Sequence, residues 1–456
     1  MMTRVLIPSG ALGLGYDQLA MDRAIAAKPD IIAIDGGSTD SGPSYLGRGV
    51  SKYSRASTRL EWKGLMQARA KAGVPLVIGT AGTCGSDSAV DWLLDITTDI
   101  AKELGQTLKI AVLRSSQTPQ HIADKLAAGH LSPLSPAPDI SEDAIKQFTN
   151  IVALAGAEQI QAAINTGADI IIAGRTTDTA IIAALPLMQG CHSGAAWHGA
   201  KIGECGALCA TNPQSGVVLI DFDESGFTIT PTADGANASP HTVSAHMLYE
   251  NADPFILYEP GGHLDVTDAV YESIDGKSVR ATGASWVPSE RYTVKLEGAR
   301  IAGYQVMTFA LLRDRRYVDH AQQWADDITQ KARTKAVDRL GLSEDEFTIE
   351  LRLIGKNATF GDLEPENSNH RPTEIGVMGF VTADSLQKAQ EIGKILNPYL
   401  LHHPLTQEEE QPTFAFQFSP AEVPVGPVYE FCLNHVMELT DPMAAFRLET
   451  IEVHHG

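Results

Sequence analysis

The first part of the chain is a series of short, unbroken apolar runs, each followed by a cluster of small polar residues. Val5-Leu6-Ile7 runs into Ser9-Gly10-Ala11-Leu12-Gly13-Leu14-Gly15, and Ile31-Ile32-Ala33-Ile34 into Asp35-Gly36-Gly37-Ser38-Thr39-Asp40. Leu76-Val77-Ile78 leads to Gly79-Thr80-Ala81-Gly82-Thr83-Cys84-Gly85, the 108–113 run to Arg114-Ser115-Ser116, and Ile170-Ile171-Ile172-Ala173 to Gly174-Arg175-Thr176-Thr177-Asp178. Short β-branched runs without alternation read as strands buried on both faces, as in a parallel sheet. Helical patterns separate them at 18–27, 61–72, 89–104 and around 157–165. This alternation predicts an α/β fold, a Rossmann-like parallel sheet of at least five strands with helices on both faces. The polar clusters all follow strands, so they are expected on one edge, where open α/β sheets bind ligands.

From about residue 217 the pattern changes. Val217 to Asp221 and Phe227 to Thr230 look like strands of a meander, and 319–340 reads as one long amphipathic helix. Strands near 347–354 and 375–381, a helix over 385–396 and further strands near 413–418 and 428–432 complete an α+β pattern. Two domains are therefore expected: an α/β domain over 1–215, and an α+β lobe over 216–456 that completes the site.

Hydrophobic residues make up 43% and charged residues 20%, as in globular proteins. The formal charge of -21 argues against nucleic acid and anionic membrane surfaces as partners. An anionic substrate would need local cations against that background. The five cysteines, an odd number without CxxC spacing, fit reduced thiols in a cytoplasm. Residues 1–15 lack the apolar run of a signal peptide, and no apolar run approaches the ~20 residues of a membrane span. A cytoplasmic location is the expectation.

The nucleotide motifs fail. Gly10 to Gly15 gives GxxxxG, but Tyr16-Asp17 stands where a P-loop needs Lys and Ser or Thr. No dinucleotide GxGxxG follows the first strand, and no GxSxG or HExxH appears. No cofactor is expected; the spacing neither requires a divalent metal nor rules one out. The loop of Thr80, Gly82 and Thr83 offers backbone amides ahead of a helix, either as an anion cradle or as a plain tight turn. Arg175, after a buried strand, can grip a carboxylate with two hydrogen bonds, or close an internal salt bridge to Asp178 or Asp35. Glu204 and Cys205 lie between glycines in Gly203-Glu204-Cys205-Gly206. An interior glutamate without a partner is costly, so Glu204 needs a reason to be there. A free cysteine is most often a small buried hydrophobe. His241 and His246 stand five apart, on different helix faces, which makes a metal pair improbable.

Three blocks give the chain a resemblance to the acyclic terpene utilisation (AtuA) family. They are Gly174-Arg175-Thr176-Thr177-Asp178-Thr179-Ala180, Gly203-Glu204-Cys205-Gly206-Ala207, and the 242–254 stretch from Thr242 to Pro254, continuing through Tyr258-Glu259-Pro260. Leu353-Ile354-Gly355 and Val423-Pro424-Val425-Gly426 also fit. The chain departs from the pattern at Arg114-Ser115-Ser116 and at Ala210-Thr211-Asn212, which points to a different substrate in a related site. The resemblance implies a cytoplasmic catabolic protein acting on branched acids or their acyl-CoA esters. It also implies an oligomer, with a small companion subunit as an option because no extra carboxyl-terminal domain is evident.

The expected activity is a lyase of the hydratase or dehydratase type on a small polycarboxylate or branched acyl-CoA. Glu204, or a nearby histidine, is the expected base, with Cys205 and Arg175 as catalytic partners. Asp35, Ser38, Thr80, Gly82, Thr83, Thr176, Thr177, Asp178, His241 and Tyr249 are the expected substrate contacts. Two alternatives stand beside it: an isomerase or racemase using Cys205 as proton carrier, and a non-catalytic subunit that binds an acyl-CoA or a partner protein.

Overall fold

The computed structural model describes residues 2–365 and 371–454. It divides into two compact units, Met1–Arg300 with Phe431–Gly456, and Ile301–Glu430.

Five strands of the first unit carry the predicted apolar runs: β1 (Thr3–Ile7), β2 (Ile31–Asp35), β3 (Leu76–Gly79), β4 (Leu108–Arg114) and β5 (Ile170–Ala173). All neighbouring pairs among them are parallel, in the order β1-β2-β3-β5-β4. Successive side chains of a strand point to opposite faces, and the core divides accordingly. Val5, Ile7, Ala33, Val77 and Ile171 join one apolar cluster; Leu6, Ile32, Ile34, Ile78 and Ile172 join another.

Helices cover both faces. α1 (Gln18–Ala26), α2 (Arg55–Ala72) and α3 (Asp87–Leu104) supply Met21, Trp62 and Leu93 to the second cluster. α4 (Ala157–Ile164), α5 (Ala180–Met188) and α6 (Ser193–Gly203) supply Ile160, Ile182 and Trp197 to the first.

Antiparallel strands extend this parallel core. β6 (Val218–Phe222), β7 (Gly226–Pro231), β8 (Val270–Ser273) and β9 (Val279–Thr282) add to the β1 side, and β10 (Arg447–Val453) pairs with β4. The result is a ten-stranded mixed sheet. Its order differs from the 3-2-1-4-5-6 of dinucleotide-binding folds, so mixed α/β is the description that holds. The sequence pattern changes near residue 215, but the first compact unit continues to Arg300. Residues 218–231 are not the start of a separate lobe; they join the sheet beside β1.

α6 lies close to the sheet because its contact positions are glycines. A Cβ on Gly199 would stand 2.5 Å from Phe222 and 2.9 Å from Phe227, and one on Gly203 would meet Ile220. Trp197 of the same helix stacks on Trp286 with ring centroids 4.9 Å apart.

In the second unit, Ile375–Ala383 pairs antiparallel with Phe347–Ile354 on one side and with residues 304–312 on the other. Ala321–Leu340 and Leu386–His402 bury Trp324, Ile328, Ile392 and Leu396 in its core. Among the described residues, no helix is long and apolar enough to cross a membrane.

Candidate functional site

Because β1 to β5 are parallel, the polar loops that follow them share one edge of the sheet. Backbone contacts hold the loops together: Leu12 N–H donates to Asp35 O at 2.8 Å, Gly36 N–H to Gly79 O at 2.8 Å, and Thr80 N–H to Gly174 O at 2.8 Å. Gly36 permits this approach, since a Cβ there would strike the backbone oxygens of Gly79 and Thr80.

A cleft of about 800 Å³ opens over this edge within the first unit. Asp35, Ser38, Asp178, Cys205 and Tyr249 line it, together with Asp40, Lys52, Tyr53 and Glu250. Five of the expected residues are thus brought together. Asp35 is buried and accepts from Gly37 N–H at 2.9 Å through Oδ2, while its Oδ1 is buried without a partner. Burial, and then the neighbouring Asp178 charge, hold the Asp35 carboxyl well above the usual carboxylate range. Asp178 is also pushed up by burial, against the pull of Arg175. Burial and then Glu204 raise the Cys205 thiol, which favours its protonated form. Tyr249, on the rim, is pushed up to about 12 by its hydrogen bond to Glu250.

Arg175 and Glu204 are not among the lining residues. Arg175 is buried and faces Glu297, donating from Nε at 3.0 Å and Nη2 at 3.2 Å; its Nη1 reaches Thr80 Oγ1 at 3.1 Å. Burial alone would raise the Glu297 carboxyl, but the guanidinium brings it down to about 2. Of the two roles the sequence leaves open for Arg175, the internal ion pair is the one observed. Its main partner is Glu297, with Asp178 farther off at 3.6 Å.

Glu204 follows the last turn of α6, where its N–H donates to Ala200 O at 2.9 Å. Its carboxylate accepts from Lys201 Nζ at 2.6 Å, one turn back on the helix. Burial pushes Glu204 up to about 8, with Lys201 opposing and Asp178 adding to the rise. The pair is buried and outside the cleft lining, to which the next residue, Cys205, belongs.

The 79–85 loop is a tight turn. Its amides bond internally or to the next strand's loop: Ala81 N–H to Ala173 O, Thr83 N–H to Thr80 O, and Gly85 N–H to Ala81 O. Thr80 and Thr83 take left-handed backbone angles, φ 47° and 68°, and Gly82 packs on Ala89. These residues and Thr176 are buried supports outside the cleft lining. Thr177 approaches Thr179 at 3.2 Å and bonds Glu259, also away from the cleft. His241 is exposed and borders a shallow groove with Leu208 and Leu248 that adjoins the cleft at Leu208 and Tyr249.

The first glycine loop carries a carboxylate of the chain itself. Gly13 and Gly15 N–H donate to Glu61 Oε2 at 3.0 and 3.2 Å. The loop that resembles a phosphate cradle therefore binds an internal acid.

Several neighbours were not anticipated: Lys201, Glu297, Lys52, Glu250 and Glu259. Lys201 had a signal, as a lone cation in an otherwise apolar and small-residue stretch three positions before Glu204. Glu297 had none, being 122 positions from its partner. Glu259 accepts from Thr179 Oγ1 and is pushed up to about 7 by burial. Among the described residues, no group of three or more His, Cys, Asp and Glu side chains is placed to hold a metal ion.

No curated protein and no solved structure matches the chain. The model of the acyclic terpene utilisation family protein AtuA matches residues 63–424, most of its length. The cleft lining from Asp178 to Glu250 lies within that span and the lining from Ser9 to Tyr53 precedes it; the chain belongs to the AtuA family.

Proposed function

We propose that the chain is a catabolic enzyme whose cleft moves protons at a carbon next to a carboxylate or thioester, as a lyase of the hydratase or dehydratase type. The family's description associates it with acyclic terpene utilisation. The observation that carries the reaction class is the pair Asp35 and Asp178, two neighbouring carboxyl groups that line one cleft, both raised by burial. Neighbouring acids with raised affinity for protons separate into one protonated and one ionised partner, which supplies an acid and a base in one site. This moves the base from Glu204, where the sequence put it, to the aspartates on the wall.

In the dehydrating direction, the ionised carboxylate takes the proton from the carbon next to the acid or thioester. The C–O bond at the adjacent carbon breaks, the protonated carboxyl gives its proton to the departing hydroxide, and the C–H electron pair becomes the new double bond. The products are water and an unsaturated acid. Glu204 and Lys201 act on the Cys205 thiol, and Asp178 feels first Arg175, then Asp40 and Lys201.

The charge of the lining narrows the substrate. Asp35, Asp40, Asp178 and Glu250 are set against Lys52, which favours a molecule with one acidic or thioester end over a polycarboxylate.

The test is incubation of the full chain with branched and straight-chain hydroxy acids and their thioesters in deuterated water. Deuterium should enter next to the carboxylate, and Asp35→Asn and Asp178→Asn should each slow this by about 10²–10⁴. Exchange that survives both substitutions would remove this reading.

A second reading is supported by Cys205. The place of the thiol on the cleft wall supports an isomerase or racemase that uses it as proton carrier, while burial and Glu204, which hold its proton, work against that role. Cys205→Ser separates the two: it should be severe for racemisation and mild for dehydration.

A further inference from the structure

This inference rests on reading the cleft as the reaction site and concerns what binds there. Asp35 is 6% exposed and lines the cleft, and its Oδ1 has no hydrogen-bond partner. A buried oxygen left without a donor is costly, and a ligand bringing one would relieve that cost. Lys52 lines the same cleft. Its Nζ donates to Ser41 Oγ at 3.0 Å and lies 5.2 Å from the Tyr53 ring centre, and among the described residues it pairs with no carboxylate. Asp40, Asp178 and Glu250 make the rest of the lining acidic. A bare anion would be repelled everywhere except near Lys52.

We propose that Asp35 is the ionised member of its pair with Asp178 and that the cleft binds a small carboxylic acid carrying a hydrogen-bond donor, with the donor on Asp35 Oδ1 and the acid group on Lys52. A hydroxyl and an ammonium both satisfy Asp35. They share the donor chemistry, and the test below distinguishes them. A simple fatty acid satisfies Lys52 alone and leaves the aspartate unpartnered.

The experiment is calorimetric or saturation-transfer titration of the full chain with 3-hydroxybutyrate, 3-aminobutyrate and butyrate, which differ only in the donor. The hydroxy or the amino acid should bind about tenfold or more tighter than butyrate, as expected for a hydrogen bond to a charged or buried acid. Whichever of the two binds tighter identifies the donor. Lys52→Met should weaken the donor-bearing acids and butyrate by a similar factor and leave their ratio unchanged. Asp35→Ala should bring the ratio to about one. Should Asp35→Ala fail to fold, Asp35→Leu keeps the volume of the side chain without any acceptor, and should erase the preference in the same way. Equal binding of butyrate, a preference that survives both Asp35 variants, or no binding of any probe would overturn the proposal. Deuterium exchange is scored separately: binding with the donor preference but without exchange would remove the proposed reaction and leave the ligand class standing.

Discussion

The guanidinium of Arg175 donates to both carboxylate oxygens of Glu297, at 3.0 and 3.2 Å, in a setting where both side chains are almost fully buried. Removing one partner of such a pair leaves an uncompensated buried charge, which costs about 3–5 kcal/mol. Arg175→Met should therefore destabilise the first unit by about that much in denaturant unfolding, and Arg175→Met with Glu297→Leu by less than the sum of the two. Additive losses would show that the two side chains do not act as a pair.

Stability should fall as pH rises through neutrality. Glu204 is pushed from an ordinary 4.5 up to about 8 by burial. Between those values the folded chain holds a proton that the unfolded chain has released. The contribution is fully present below about 4.5 and is lost as pH rises through about 8. Glu259, pushed up to about 7, adds the same sign. Glu297 has the opposite sign: brought down to about 2, it contributes above its ordinary range and loses that contribution as pH falls through about 2. Glu204→Gln should flatten the decline in Tm between pH 5 and 8, and an unchanged slope would show that Glu204 does not titrate in that window.

Native thiol labelling should be slow and confined to one residue. Cys205 is half-buried on the cleft wall, while Cys84, Cys191, Cys209 and Cys432 are buried. Because burial and Glu204 keep Cys205 protonated, iodoacetamide should react far more slowly than with a free cysteine at pH 8. Mass spectrometry should find the label at Cys205, with a rate that climbs at alkaline pH. Rapid labelling at pH 7 would mean a thiolate and would contradict the charge environment described.

Gly199→Ala should destabilise the chain although alanine is the better helix former. The added methyl would stand 2.5 Å from Phe222, and overpacking of this kind costs about 1–3 kcal/mol. A gain in Tm would show that α6 can move away from the sheet without loss.

The parallel core was legible because buried parallel strands have a one-dimensional signature. β1, β2, β3, β4 and β5 fall on the apolar runs, and their carboxyl-end loops converge. α6 was not legible. Gly194, Gly199 and Gly203 lower helix propensity, and the close approach to Ala284, Phe222 and Ile220 is what calls for glycine at those positions. β10 was missed because Glu449 and Glu452 interrupt its pattern, as suits an edge strand with charged faces. Of the residues expected from strand-end position and family blocks, Asp35, Ser38, Asp178, Cys205 and Tyr249 line one cleft. Lys52 and Glu297 come from distant segments that only the fold brings near. Arg175 and Glu204 read in the sequence as residues that need partners, and within the chain those are Glu297 and Lys201.

The order of the segments constrains how this chain is made. Residues 301–430 form their own unit between the two pieces of the first, and β10 at Arg447–Val453 must come back to pair with β4 at Leu108–Arg114. During synthesis the β4 edge therefore waits, with its backbone groups unpaired, while more than three hundred further residues are made. An unpaired edge of that kind is a template for other chains. The dependence on chaperones or slow translation should therefore be greatest in this interval, and it should ease once β10 has been made.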